Sequence, residues 1–216
     1  MQELEEALRR SFLDVVAEAV APLGHPDLHA FRVTSVSVFP GYALVEHTGA
    51  PAGPRVDPGC GYSVDRRLVV DAAALVLARR AGRFAAGEHR EANDREWVDT
   101  LETSFPGWFG CEVACNAGWA DLLFALAERV RAERPGRAFR FEQVKEKYGT
   151  LRAYHSGTGP RVASIVDAFE VVSGAVCEIC GAPGALRRTP GGYFHTACDR
   201  HARGPRPSPV KGEGTW

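Results

Sequence analysis

Four side chains near the end of the chain have the types and spacing of a metal centre: Cys177, Cys180, Cys198 and His201, a C-x2-C-x17-C-x2-H pattern. Thiolate sulfur and imidazole nitrogen are donors that zinc prefers, and a two-residue gap lets both members of a pair reach one ion from a tight turn. Between the pairs, "ALRRTPGGYFH" reads as two short extended segments joined by a turn at Pro190, Gly191 and Gly192. The second pair falls on "CDRHAR", which is expected to form the first turn of a helix. Knuckle, hairpin and helix in that order predict a treble-clef-like zinc module. His195 is an alternative nitrogen donor, but its spacing from Cys198 is less regular and it reads more plainly as a strand residue.

Four protein donors fill a tetrahedron. A catalytic zinc keeps one position for water, so a Cys3His set predicts a structural ion. The segment's own apolar residues, mainly Leu186, Tyr193 and Phe194, are too few to build a core without it. Zinc deaminases also combine histidine and cysteine. Their pattern needs a glutamate two residues after the histidine and a proline before a cysteine pair, and neither occurs here.

Arg187, Arg188, Arg200 and Arg203 surround the predicted site and are the candidate nucleic-acid contacts. The same arginines are equally suited to offsetting the charge of a Cys3His centre or to solvating the surface. A second candidate surface lies in "QVKEKYGTLRAY", where Lys145, Glu146, Lys147 and Arg152 flank a turn at Gly149 and Tyr148 and Tyr154 add contact area. The plainer reading there is a hairpin with a solvated charged face. Trp108, with Phe109, is a third candidate for partner binding, against the commoner role of closing the edge of a core. Cys60, Cys111 and Cys115 lack a second pair to complete a metal site. A thiol enzyme built on one of them would need a base such as His89 or His155 brought near by folding. There is no phosphate-loop glycine pattern, no HExxH and no GxSxG.

The elements that must position these groups follow from periodicity. "LEEALRRSFLDVVAEAV" places Leu4, Leu8, Phe12, Val15 and Ala19 on one helical face, with Pro22 as its stop. "FRVTSVSVF" and "YALVEH" read as strands joined at Pro40 and Gly41, with Val33 and Val45 in the core. Asp71 is expected to cap a helix with Ala74, Leu75 and Ala78 inward and Gly82 at its end. "NDREWVDTLE" predicts a shorter helix. Asn116 is expected to cap "AGWADLLFALAERVRAER", whose Trp119, Leu122, Leu123, Leu126 and Val130 form an apolar stripe ended by Pro135 and Gly136. A strand, a turn at Tyr148 to Thr150 and a second strand follow. Pro160 then opens a helix carrying Val162, Ile165, Val166, Phe169 and Val172 toward the core.

With 216 residues, 45% of them hydrophobic, the chain is long enough to bury a sizeable core. The formal charge of -1 argues against a uniformly basic nucleic-acid binder. Its distribution is uneven, since acids outnumber arginines in residues 1–60 and bases outnumber acids in 177–216. The charged start, the absence of a long apolar run and the tight cysteine spacing predict a cytoplasmic protein with reduced thiols and no membrane span.

The expected fold class is α+β, with helices packed on short antiparallel sheets or hairpins and the zinc module at the C-terminal end. The expected divisions are an N-terminal α+β subdomain over 1–100, the Trp helix, charged hairpin and amphipathic helix over 101–176, the zinc module over 177–203, and a flexible tail over 204–216. No long Gly/Ser-rich linker separates them, so a shared core is open.

From about residue 105 to 201 the chain resembles a widespread group of bacterial proteins of unassigned function. The resemblance is carried by Gly118 and Trp119 at the start of a helix, by Gln143 to Tyr148 with Gly149, Leu151 and Arg152 in a hairpin, and by Cys177, Cys180 and Gly181. Tyr148 holds the hairpin's aromatic position, while Thr150 stands where glycine is common. The resemblance implies a zinc-finger-like C-terminal segment and a regulatory, immunity or defence-associated role, without an activity. Together these observations predict a zinc-stabilised protein that works by binding another protein. Nucleic-acid binding through the basic module and an enzyme with an unrecognised site are the alternatives.

Overall fold

The computed structural model describes residues 2–20, 30–51, 64–88 and 95–205. Pro22, Cys60, His89 and the end of the tail, with Trp216, lie outside the described residues. Five helices and three small sheets are arranged as α+β among those described: α1 Gln2–Val20, β1 Arg32–Phe39, β2 Tyr42–Thr48, α2 Arg66–Ala85, α3 Glu96–Ser104, β3 Val113–Ala114, α4 Ala120–Ala132, β4 Arg140–Lys147, β5 Thr150–Ser156, α5 Pro160–Ser173, β6 Ala185–Arg188 and β7 Phe194–Ala197. No helix among them is long and apolar enough to cross a membrane.

The centre of the body is α2, against which α1, the β1–β2 hairpin, α4 and α5 all pack. Its boundaries differ from the sequence expectation at both ends. The cap is Asp65, whose carboxylate accepts from the Arg67 N–H at 2.9 Å. Asp71 lies inside the helix, 3.2 Å from His47 of β2. Gly82 does not end the helix, which runs on to Ala85. It is a packing glycine instead, because a Cβ there would lie 2.6 Å from the Tyr42 nitrogen, and the Gly41 N–H donates to the Gly82 carbonyl at 2.8 Å. Of the predicted inward residues, Ala74 and Ala78 are buried while Leu75 is 41% exposed.

Helix α1 buries Leu8, Phe12, Val15 and Ala19 as its period requires, and adds Val16 and Val20; Leu4 in the first turn is 40% exposed. In the first hairpin Val45 is buried, whereas Val33 is only half-buried, beside a register shift between Val33 and Ser35. Helix α3 contributes Trp97 and Leu101. Before α4 the chain makes a 3-10 turn over Ala117–Trp119, and the Asn116 side chain supplies no cap bond. All five predicted stripe residues are buried, Trp119 in the turn and the other four on α4, together with Ala120, Phe124, Ala125 and Ala127. The one buried acid of that helix, Asp121, is held by the Arg83 guanidinium through contacts of 2.7 to 3.2 Å. One hydrophobic core runs without a break from Leu8 to Val176, so segments from both halves of the chain share it.

The β4–β5 hairpin closes through the two-residue loop Tyr148–Gly149, with φ of 54° and 77°, between the paired Lys147 and Thr150. Left-handed geometry at both loop positions matches the twist of a tight hairpin. The outer edge of β5 is not left open. Leu151 N–H donates to Ser173 Oγ at 2.8 Å and Ala153 N–H to Glu170 Oε1 at 2.7 Å, so α5 caps the edge strand with side chains. A two-residue strand, β3, pairs in parallel with β4 and was too short to read from sequence.

Gly149 is buried in the joint between this hairpin and the C-terminal module. A Cβ there would overlap the Leu186 side chain and come within 3.0 Å of the His195 nitrogen. Gly149→Ala therefore combines an unfavourable left-handed φ with overpacking, and is expected to lower the unfolding free energy by about 2 kcal/mol or more. Urea titration of the two proteins measures the difference, and a loss under about 0.5 kcal/mol would contradict the packing described.

Candidate metal centre

The residues after α5 build a knuckle. Cys177 N–H donates to the Ala182 carbonyl at 2.8 Å, Gly181 N–H returns to the Cys177 carbonyl at 2.8 Å, and Gly181 takes a φ of 71° to close the turn. This fold-back places the Cys177 and Cys180 sulfurs side by side. Strands β6 and β7 then pair in register from Ala185↔Ala197 to Arg188↔Phe194 and return the chain to Cys198. A 3-10 turn over Asp199–His201, with the His201 N–H on the Cys198 carbonyl at 3.0 Å, brings the imidazole back over the knuckle.

The expected helix after Cys198 does not form. Only that single turn is present, and from Ala202 the chain is extended, with the Arg188 N–H donating to the Pro205 carbonyl at 3.1 Å.

The four donor atoms lie within 4.8 Å of one another. Cys180 Sγ and Cys198 Sγ are 3.8 Å apart, Cys177 Sγ and His201 Nδ1 3.6 Å, and Cys198 Sγ and His201 Nδ1 3.3 Å. Metal–sulfur bonds of about 2.3 Å and metal–nitrogen bonds of about 2.0–2.1 Å at tetrahedral angles require edges of about 3.8 Å between sulfurs and about 3.5 Å between sulfur and nitrogen. Three of the six separations match these edges and the other three lie within 4.8 Å, so the four side chains are grouped as a four-coordinate ion requires. Cys177 is fully buried while the other three are half-buried. The Cys177 thiol is pulled down to about 4, first by a hydrogen bond from Cys180 and, against burial, by backbone groups of Cys198, Cys180 and Ile179. The same hydrogen bond, with burial, pushes the Cys180 thiol up.

The module is fastened to the body at three points. Gly118 N–H donates to the Glu178 carbonyl at 2.9 Å, and the buried Trp119 indole N–H donates to the Val176 carbonyl at 2.8 Å. The hairpin tip is held by Thr196 Oγ1, fully buried, which donates to the Gly149 carbonyl at 2.5 Å, while Glu146 accepts from the Gly149 N–H at 2.5 Å. From α2, Arg80 Nε reaches the Cys180 carbonyl at 3.4 Å. The Gly-Trp pair, the hairpin tip and the cysteine knuckle, far apart in sequence, thus meet at one place. Glu178 lies in this joint, where burial, and then the charges of Glu146 and Cys177, raise its carboxyl to about 7.

The remaining candidate residues are placed as follows. His195 is not a ligand: its Nε2 accepts from the Arg203 N–H at 3.4 Å, and the alternation of β7 carries it away from the cluster. Arg187 is mostly buried, donating to the Ala197 carbonyl at 3.1 Å and pairing with the exposed Asp199, so its charge is engaged within the module. Arg188 lies over the Phe194 ring at 5.8 Å, and Arg200 and Arg203 are exposed. On the hairpin, Tyr148 is 70% exposed with Lys147 Nζ 5.6 Å from its ring, and Lys145 Nζ is 5.7 Å from the Tyr154 ring. Arg152 turns inward toward Glu170, at 3.7 Å. Trp108 is half-buried, stacked on Phe105 and edge-on to Phe139 at 4.8 Å, closing the core edge. Cys111 and Cys115 join no metal cluster among the described residues; Cys115 is buried, which pushes its thiol up to about 12.

Arg80 and Thr196 were not singled out by sequence. Nothing in a single arginine on a helix or a threonine in a four-residue strand marks it as a joint residue.

No protein-family model, no curated protein and no solved structure matches the chain.

Proposed function

We propose that the chain is a zinc-stabilised binding protein, in which the ion is structural and a protein partner is recognised by the side chains of the hairpin beside it. The observation that carries the reading is the set of four protein donors within 4.8 Å of one another, three of their separations being those of a tetrahedron's edges. With sulfur or nitrogen at every corner, zinc has no position for a substrate or an activated water, and its contribution is to order the segment around it. Zinc is favoured over other ions by the three thiolates and one imidazole. A reducing cytoplasm suits such thiolates. The resemblance of residues 105 to 201 to a bacterial group supports a regulatory, immunity or defence-associated setting.

For the partner, the exposed Lys147–Tyr148 pair and the half-buried Lys145 beside the exposed Tyr154 offer cationic and aromatic contact on one hairpin, which suits an acidic protein surface. Nucleic acid is the second reading, favoured by the exposed Arg200 and Arg203. It is weakened by the tie of Arg187 to Asp199 and by the overall charge of -1, since affinity for phosphates grows with the number neutralised.

The two readings separate in a capture experiment from native lysate with and without nuclease. A nuclease-resistant protein partner is expected, whose binding falls at least tenfold in Lys145→Glu/Lys147→Glu and is retained in Arg200→Glu/Arg203→Glu. Recovery of DNA or RNA that vanishes in the second variant, with affinity dropping steeply as salt rises, would replace this reading by nucleic-acid binding.

A further inference from the structure

We infer that Arg80, on the central helix α2, is the counter-cation of the zinc centre and sets its metal affinity from the far half of the sequence. The inference rests on the structural-zinc reading above. A Cys3His centre with a divalent ion carries a net charge of about -1, and when half-buried it gains from a fixed positive group nearby. Arg80 is placed to supply it. Its Nε lies 3.4 Å from the Cys180 carbonyl, and its Cδ and Nε pass 3.4 and 3.5 Å from where a Cβ on Gly181 would stand. The guanidinium is held from behind by the Phe84 ring, 4.5 Å below it.

Of the other cations, Arg200 and Arg203 lie exposed to solvent and three more are paired elsewhere. Arg83 is bound to Asp121, Arg79 to Glu128 and Arg187 to Asp199. Among the described residues no carboxylate forms an ion pair with Arg80; burial and the Arg83 charge work against its cation, and the groups that attract it are Cys180, Asp121 and Cys177. Gly181 fits the same picture. A side chain there would press on Arg80 and on the Gly118 carbonyl at 2.9 Å, so glycine keeps the knuckle within reach of α2.

Arg80 is thus a positioning and charge-balancing residue that touches the ligand loop without being a ligand. The test compares wild type, Arg80→Gln, Arg80→Lys and the control Arg79→Gln by competition of each zinc-loaded protein against a chromogenic chelator. The absorption of the cobalt-substituted forms is recorded in parallel. Arg80→Gln is expected to raise the zinc dissociation constant about tenfold and to shift the sulfur-to-cobalt charge-transfer band. Arg80→Lys, which keeps the charge, should stay within about threefold of wild type, as should Arg79→Gln.

Equal affinities for Arg80→Gln and wild type would overturn the inference while leaving the zinc site intact; a wild type that binds no zinc would instead sink the reading on which it rests. If Arg80→Gln fails to fold, Arg80→Lys decides. Affinity near wild type supports the charge role, and a tenfold loss overturns it in favour of packing.

Discussion

Cys177→Ser is expected to abolish stoichiometric zinc binding and to unfold the segment from residue 177 to 205. Cys177 is the fully buried member of the proposed ligand set, and Glu178 beside it accepts from Gly118 in the turn that leads into α4. A serine hydroxyl is a poor zinc ligand, and three remaining donors would leave the half-buried Cys180, Cys198 and His201 around an incomplete site. Structural zinc in finger peptides is worth about 10–16 kcal/mol of folding free energy at neutral pH, far more than β6, β7 and a single 3-10 turn can replace. Two observations check the outcome: metal content near zero in the purified variant, and loss of amide-exchange protection in β6 and β7. Because the hairpin tip is hydrogen-bonded to Thr196, protection is expected to fall at Gly149 to Leu151 as well. Retained zinc with unchanged protection would show that the knuckle holds without this ligand.

The second large effect is expected at Trp119. Its ring is fully buried in the 3-10 turn just before α4, and its indole N–H satisfies the Val176 carbonyl, one residue before Cys177. Trp119→Ala removes a large core side chain, at about 3–5 kcal/mol. It also leaves a buried carbonyl without its donor, at about 1–3 kcal/mol. The sum approaches the whole stability of a typical domain, so the variant should be largely unfolded or recovered as aggregate. Trp119→Phe keeps most of the apolar surface and loses only the donor, with an expected cost of about 1–2 kcal/mol in urea titration. A wild-type midpoint for Trp119→Ala would contradict the role assigned to this contact.

These effects locate what was legible in the sequence. The cysteine and histidine spacing encodes its own geometry, because two-residue gaps fix which side chains a tight turn can bring together; all four predicted ligands meet. Helical faces were equally readable where burial follows the 3.6-residue period, as in α1 and α5. The errors have a common cause in tertiary contact. Gly82 carries the local signal of a helix end, but its lack of a side chain is used by Tyr42 across the core. Asp71 looks like a cap, yet Asp65 lies six residues earlier and His47 gives Asp71 a partner. The helix expected at Cys198 is prevented by a chain that returns along β6, which local propensity does not reveal. Arg187 looked available for phosphate only because Asp199, its partner, is twelve positions away.

The central claim, a closed four-ligand zinc site of three sulfurs and one nitrogen, is tested most directly by zinc K-edge X-ray absorption on the purified protein after metal quantification. The account predicts about one zinc per chain, with three sulfurs at about 2.3 Å and one nitrogen at about 2.0–2.1 Å in its first coordination sphere. A well-folded protein without zinc, or a sphere in which a water oxygen replaces one of the side chains Cys177, Cys180, Cys198 or His201, would contradict it.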